Sequence, residues 1–467
     1  MVGRQLSETA AVPDEGWSAV AQFDISKTPQ HGRQSLLGQI FSPGPLANKS
    51  NTVSAALRPR WRALAAASLG NALEWYDFVI YGYLATTISR LFFPSKSELE
   101  SLLIALATFG ITFFIRPLGG ILLGAFADRH GRKAAFMATI GLMMLGTAMI
   151  AVVPTYAAIG PLAPIAIVVA RLVQGISAGG GFGSATAFLA EQDPRWRGFF
   201  ASWQFASQGL TTVIAAAAGA VLTGMLSTEQ IEAGGWRIPF MFGLLIGPVA
   251  YYLGRHADET AEFQALRDRR SPFLEALSDA KMRMAVSLGT VVLCTVLTYT
   301  TLFMPGYAVR QLGLPQAGSF LATLLSGAIQ IVVVPIIGAI SDRCGRWPIM
   351  VGASCAALAL SYPLFVWLAA VPTLSTLLAV QGVMGIVGAI YLGPLAALMS
   401  EIFPTRMRTT GLAISYSVCV AIFGGFAPFI NAWLISVTSS NVAPSFYLTV
   451  AAAISLAALV TQRRLNL

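Results

Sequence analysis

Charge is scarce in this chain: Asp, Glu, Lys and Arg make up 11% of its 467 residues, against about a quarter in a soluble domain. With 55% hydrophobic residues and a mean hydropathy of +0.68, that deficit excludes a soluble globular protein and implies an integral membrane protein. Histidine is nearly missing, and His31, His130 and His256 all fall outside the apolar runs, so no histidine is placed to carry a proton within them. Cysteine is sparse too: Cys294, Cys344, Cys355 and Cys419 show neither metal-site nor disulfide-framework spacing, and no metal is expected. A phosphate loop and a large soluble domain are both lacking, which argues against an enzyme and for no cofactor. The first fifty-odd residues have no apolar signal-peptide core and read as a disordered cytoplasmic tail. The net charge of +9 would suggest nucleic acid in a soluble protein; here the basic residues sit in short loops and act as topology determinants, with no nucleic-acid partner.

What the chain has instead is apolar length. Runs of on the order of twenty residues, enough to cross a bilayer, lie near 62–90, 99–127, 134–153, 161–190, 199–226, 236–254, 284–309, 317–341, 347–370, 373–401, 409–437 and 444–462. They predict an all-α protein of twelve transmembrane helices. Placing both termini inside puts most Arg and Lys of the short loops on one side and leaves only Arg90, Lys96, Arg237 and Arg310 on the other. By the positive-inside rule this is a multi-pass protein of the plasma membrane, the inner membrane of a bacterium, with cytoplasmic termini. The expected organisation is a tail at 1–57, a six-helix bundle at 58–254, a polar cytoplasmic loop at 255–283 and a second six-helix bundle at 284–467, expected to be monomeric.

The two bundles carry a shared phrase. Gly124-Ala-Phe-Ala-Asp128-Arg129-His-Gly131-Arg132-Lys returns as Gly338-Ala-Ile-Ser-Asp342-Arg343-Cys-Gly345-Arg346, and the Gln174-Gly175 and Glu191-Gln-Asp-Pro194 signatures return as Gln381-Gly382 and Glu401-Ile-Phe-Pro404. Offsets that agree in three places imply two related halves, which points to a transporter. Gly124, Asp128, Arg129, Gly131 and Arg132, with Gly338, Asp342, Arg343, Gly345 and Arg346, are read as gating loops. Asp128 sits at a helix C-terminus, where the dipole disfavours an anion, so an Arg or a neighbouring helix N-terminus should hold it.

The same loop phrase resembles the signature of the major facilitator superfamily. Gly70-Asn-Ala-Leu-Glu74-Trp-Tyr-Asp77-Phe, Arg116-Pro-Leu-Gly119, Arg171-Leu-Val-Gln-Gly-Ile-Ser-Ala-Gly-Gly, Ser202-Trp-Gln204, Trp236-Arg-Ile-Pro-Phe240 and Phe403-Pro-Thr-Arg406-Met-Arg408 together resemble its metabolite:proton symporter family. The resemblance implies proton-coupled symport of a small organic acid by alternating access, like that of citrate, tricarballylate or 2-oxoglutarate symporters. It also implies an arginine at Arg171 that assists proton transfer. Two departures matter: members usually carry Glu where this chain has Gly181, and no long C-terminal coiled coil follows the last span, which favours the organic-acid branch over a proline/betaine symporter. A facilitator or drug-type antiporter is the further alternative, the antiporter lacking its Gly-Pro signature in the fifth span.

Only Glu74, Asp77, Arg116 and Arg171 are charged within the spans, where each costs about 2.5–3.5 kcal/mol on insertion scales. Gly70, Glu74, Asp77 and Tyr81 are expected on one helix face, and Glu74 and Arg116 at one depth. A structural ion pair and a proton-coupling site are both open readings. Asp77 is the first candidate proton carrier, followed by Glu74, with Arg171 either assisting or snorkelling. Arg116, Tyr81, Gln174, Gln204, Tyr299 and Tyr391 are candidate substrate contacts, with Trp203 and Gln208 beside them.

Overall fold

Every regular element that forms is helical. The computed structural model describes Leu64, Ser68 and residues 71–72, 74–130, 132–179, 181–244, 281–405 and 407–466. The first predicted stretch is helical over 74–83 (α1), turns at Leu84 and resumes as α2, Ala85–Phe92. There follow α3 (Glu98–Phe114), α4 (Arg116–His130), α5 (Arg132–Val152), α6 (Leu162–Ser177), α7 (Gly181–Glu191) and α8 (Arg197–Met225). The later residues form α9 (Lys281–Leu312), α10 (Gln316–Cys344), α11 (Arg346–Ala370), α12 (Leu374–Ile402), α13 (Arg408–Cys419), α14 (Ala427–Thr438) and α15 (Pro444–Arg464).

Among the described residues, nine helical runs are long and apolar enough to cross a membrane. They coincide with nine of the predicted stretches. Of the other three, 134–153 lies on α5, whose apolar part is Met137–Val152; 62–90 and 236–254 fall partly outside the described residues. So do the expected tail, 1–57, and most of the central loop. The loop's last three residues already belong to α9, because Lys281, Met282 and Arg283 extend that helix before its apolar part begins.

Local chemistry sets the ends and the interruptions. Ser97 accepts a hydrogen bond from the Glu100 amide at the start of α3, with Glu98 and Glu100 in the first turn where the helix dipole favours acids. The α3–α4 run breaks at Ile115, just before the Arg116-Pro117 pair, because a residue preceding proline is driven out of the helical region. The α6–α7 run breaks over 178–180, within Ala178-Gly-Gly.

The two breaks face one another. A Cβ on Gly119 would strike the Ile176 carbonyl, one on Gly179 would strike the Arg116 carbonyl, and one on Gly120 would lie 3.0 Å from the Gly179 oxygen. Backbones at this distance tolerate only glycine, as in helix pairs packed through small residues. A second crossing joins α8 to α10, where Gly198 meets Gly338 and Gly209 meets Gly327. That pair is the most extensively packed of the described helices.

The distribution of polarity is inverted relative to a soluble fold. Phe114, Leu118, Ile121, Leu122, Val221 and Ile336 are exposed, while Arg116, Arg171, Gln174, Gln204, Gln330 and Asn431 are buried. Lipid accounts for the outer surface, and polar groups inside must then be answered by one another.

The glycine crossings give a direct test. Gly119→Val, which forces a side chain into backbone, should cost 1–3 kcal/mol or more by the measure of overpacked cores, about, and lower the thermal unfolding midpoint of the purified protein. Gly141→Ala, at a helical position with nothing within 4 Å, should leave that midpoint unchanged or raise it; equal losses in both variants would refute the tight crossing.

Candidate functional site

Helix α1 runs through the interior with neighbours on every side: Trp75, Tyr76, Phe78, Val79, Ile80 and Tyr81 are all buried. The four intramembrane charges gather around it, in two groups. Glu74 pairs with Arg116 at 3.4 Å, as their matching depth predicts. Asp77 turns to α5 instead, where the Thr147 hydroxyl donates to its Oδ2. The expectation of a single face is therefore corrected. Positions three apart differ by about 60° around a helix, which on a helix enclosed all round is enough to aim two carboxylates at different partners.

The helix break at Ile115 sets Arg116 in an aromatic cage. Its guanidinium carbon lies 5.3 Å from the ring centres of Trp75 and Phe113 and 5.4 Å from that of Phe78. Besides the Glu74 bond, Nε and Nη1 are buried without a hydrogen-bond partner. Cation–π attraction of about 0.5–2 kcal/mol per ring offsets part of the burial, yet two strong donors remain unspent. Gly181, the position that departs from the family pattern, faces this pair: a Cβ there would lie 3.1 Å from Glu74 Oε2.

Arg171 is fully buried, so it does not snorkel. Its guanidinium carbon lies 4.1 Å from the ring centre of Tyr81 and within 5.6 Å of Phe109 and Phe78. From it a directed chain runs to Asp77. Arg171 Nη1 donates to Gln174 Oε1 (2.8 Å), Gln174 Nε2 donates to Thr147 Oγ1 (2.9 Å), and Thr147 donates to Asp77. Every donor points towards the carboxylate. The Thr147 hydroxyl also lies 3.0 Å from the Met143 carbonyl, so its single proton has two acceptors, and Asp77 Oδ1 has none of its own. A cation, two neutral relays and a carboxylate form an arrangement that stabilises negative charge on Asp77 and reorganises when that charge is neutralised. Thr147 was not singled out by sequence, because one threonine in an apolar run carries no signal; its spacing from Gln174 appears only in three dimensions.

The other substrate candidates separate. Tyr299 packs on Trp75, Phe109 and Phe113 with ring centres 5.2–6.2 Å apart, its hydroxyl buried and unpartnered. Gln204 is engaged elsewhere: it exchanges hydrogen bonds with Asn71, whose amide also reaches Ser207, so it latches the first helical stretch to α8. Tyr391 donates to the Thr290 carbonyl at 2.6 Å and Tyr81 lies 3.4 Å from that of Ala105. Gln174 serves the relay. These four spend their polar atoms within the protein because buried polar groups find the nearest acceptor.

The repeated loop is explicit in its second copy. Asp342, at the end of α10, accepts the backbone amides of Gly198 (2.8 Å) and Phe199 (3.0 Å) in the first turn of α8 and pairs with Arg346 at 2.7 Å. A helix N-terminus from elsewhere thus holds the acid, the solution expected for Asp128. Gly345, at φ 86°, makes the turn that brings Arg346 back, Glu401 joins it at 3.3 Å, and Arg343 lies over the Trp196 ring at 5.7 Å. At the same end Arg408 meets Glu191 at 2.8 Å and Phe182 stacks on Tyr416. Arg129 is exposed, whereas Gly131 and the side chains of Asp128 and Arg132 lie outside the described residues. At the opposite end of α10, Glu98 meets Arg310 at 3.8 Å and Arg90 at 3.6 Å, and Tyr83 stacks edge-on against Phe320. Contacts between early and late helices thus close both ends.

Comparison with known proteins agrees with this geometry. Residues 67–367 match the family model of the Major Facilitator Superfamily. The chain is 36% identical over 394 residues to a citrate-proton symporter of Klebsiella pneumoniae, covering 84% of this chain and 89% of that one. It is 32% identical over 410 residues to a proline/betaine transporter of Salmonella typhimurium, covering 85% and 82%. A crystal structure of a D-xylose-proton symporter superposes with a TM-score of 0.67 at 17% identity, over 84% of this chain and 96% of that one, a likeness of fold.

Removing one partner of the caged pair should be worse than removing both. Glu74→Ala and Arg116→Leu singly should each destabilise the purified protein, and the double variant should recover about 0.5–3 kcal/mol as coupling; strictly additive unfolding free energies would show that the pair does not interact. Asp342→Ala should cost about 0.5–2 kcal/mol, as for a lost helix cap, and should raise the reactivity of Cys344, at the same end, towards a polar thiol reagent.

Proposed function

Because the chain belongs to the Major Facilitator Superfamily, we propose that it is a secondary transporter of twelve helices that takes up a small organic acid together with protons. Asp77 carries the proton. The end bearing Asp342, Arg346 and Arg408 faces the cytoplasm, with both termini, in the inner membrane of a bacterium.

One observation carries the reading: two guanidinium groups are held in the interior with donors unspent, each tied to a carboxylate that can be protonated. A substrate carboxylate supplies what Arg116 lacks, since the planar fork accepts it in bidentate fashion. Glu74 competes for the same group. Protonation of Glu74 or its replacement by the substrate frees or satisfies Arg116, which links anion binding to proton binding at one residue. Asp77 senses the same event from the other side of α1. Once Asp77 is neutral, Thr147 turns its proton to the Met143 carbonyl and the pull on Gln174 and Arg171 relaxes.

The citrate-proton symporter and the proline/betaine transporter stand at similar identity, and the site favours the acid. A quaternary ammonium needs an aromatic cage of its own. Here the rings of Trp75, Phe78 and Phe113 are already filled by the Arg116 guanidinium, which repels a second cation.

Uptake into proteoliposomes under an imposed pH gradient tests the proposal. Citrate or a dicarboxylate should accumulate against its gradient with matching proton entry, and betaine should not. Asp77→Asn should abolish accumulation while retaining exchange of preloaded substrate, and Thr147→Val should reduce accumulation at least about tenfold by breaking the relay. Undiminished proton-driven accumulation in Asp77→Asn would remove that residue as the carrier.

A further inference from the structure

A small cavity lies where α1, α8, α9 and α10 meet, with about 20 Å³ open to the centre of a water-sized sphere, room for a water molecule. Its wall includes Trp75, Phe78, Gln208, Thr212, Tyr299 and Gln330, and no charged side chain is among its lining residues. Two strong hydrogen-bonding groups there are unspent. Gln208 Nε2 and the Tyr299 hydroxyl are buried without a partner, in residues only 7% and 3% exposed. The threonine hydroxyls beside them are satisfied, Thr211 by the Ala72 carbonyl at 2.7 Å and Thr212 by that of Gln208 at 3.0 Å.

Backbone packing fixes the two glutamines. At the α8–α10 crossing a Cβ on Gly327 would lie 2.9 Å from the Gly209 oxygen, and a Cβ on Gly209 would lie 2.8 Å from Gln330 Cβ. Gln208 and Gln330 therefore project from helices that touch beside them. Leaving such donors bare in the interior costs free energy that only a ligand's hydrogen bonds recover.

We propose that Gln208, Gln330 and Tyr299 form a charge-free subsite that binds a hydroxyl group of the transported molecule, which makes the preferred substrate a hydroxy acid. This rests on the organic-acid reading above. A carboxylate is the wrong occupant, since a bare anion in a cavity without a cation keeps an uncompensated desolvation penalty. A hydroxyl both donates and accepts, as do a glutamine amide and a tyrosine. Trp75 and Phe78 form the partition between the two subsites, caging the Arg116 guanidinium and also lining the cavity. The acid's carboxylate lies towards Arg116 and its hydroxyl towards the glutamines. Because early and late helices both contribute to the wall, parting them in the transport cycle enlarges the space to the size of a substrate.

The test is a selectivity ratio, measured as competition for uptake in proteoliposomes by pairs differing in one hydroxyl: citrate against tricarballylate, and malate against succinate. The wild type should favour the hydroxylated member at least about tenfold, and Gln208→Leu, Gln330→Leu and Tyr299→Phe should each reduce that ratio several-fold. Tyr299→Phe removes a single oxygen and guards against loss of folding. A wild-type ratio near one, or equal losses for both members of a pair in all three variants, overturns the subsite. Should the wild type accumulate betaines and no acid, the organic-acid reading fails separately. Hydroxyectoine against ectoine then applies the same criterion: a hydroxyl preference abolished by the variants upholds the subsite, and its absence overturns it.

Discussion

A guanidinium removed from water stays charged only if the protein answers it, and much of this interior is arranged to answer two. Arg116 has one carboxylate and three rings; Arg171 has one amide oxygen and three rings. Phe78 serves both cages, so the cations share a wall. The glycines that let backbone pass backbone at Gly119, Gly175 and Gly179 bring α3, α4 and α6 close enough for this clustering. A larger residue at any of them would separate the helices and leave the cations poorly enclosed. The small residues, the helix breaks and the aromatic cluster thus follow from one electrostatic requirement.

The two ends of the bundle are closed by interactions of different strength. Asp342 is 4% exposed in its side chain and spends itself on two amides and Arg346, a set of charge-assisted bonds shielded from water. Glu98 is 69% exposed, and ion pairs in that setting contribute from nothing to about 1 kcal/mol. The Asp342 end is therefore the better sealed, and the Glu98 end opens at lower cost. Since Asp342 binds the start of α8, and α8 also carries Gln208, sealing that end and shaping the cavity are mechanically connected.

Much of this was legible in the sequence. Nine apolar stretches became membrane-length helices, and counting residues at 1.5 Å each from the helix ends placed Glu74 level with Arg116, because depth depends on rise alone. Direction was less legible. Whether Asp77 follows Glu74 depends on which helices surround α1, and periodicity reports a buried face only when another face is not buried. Thr147 and Gln330 were silent for a related reason: a polar residue in an apolar run reads as a tolerated exception until the group opposite it is known. Gln204 misled in the opposite sense. It lies within a motif, yet its amide is consumed by Asn71 from the first helical stretch, so its motif records helix packing.

What remains is why one short helix carries so much. Within 74–83, Glu74 answers Arg116, Trp75 and Phe78 wall the cavity, Asp77 ends the relay and Tyr81 covers Arg171. These contacts reach four neighbours at once, so α1 cannot rotate or slide without altering anion anchor, cavity and proton site together. In the proposed cycle that shared rigidity is the coupling: binding at Arg116 and protonation at Asp77 act on one body, and each changes the free energy of the other through it. The turn at Leu84, where α1 gives way to α2, then acquires a purpose. It lets the charged segment reorient while Ala85–Phe92 stays packed at the Glu98 end, and the two closures need not open together.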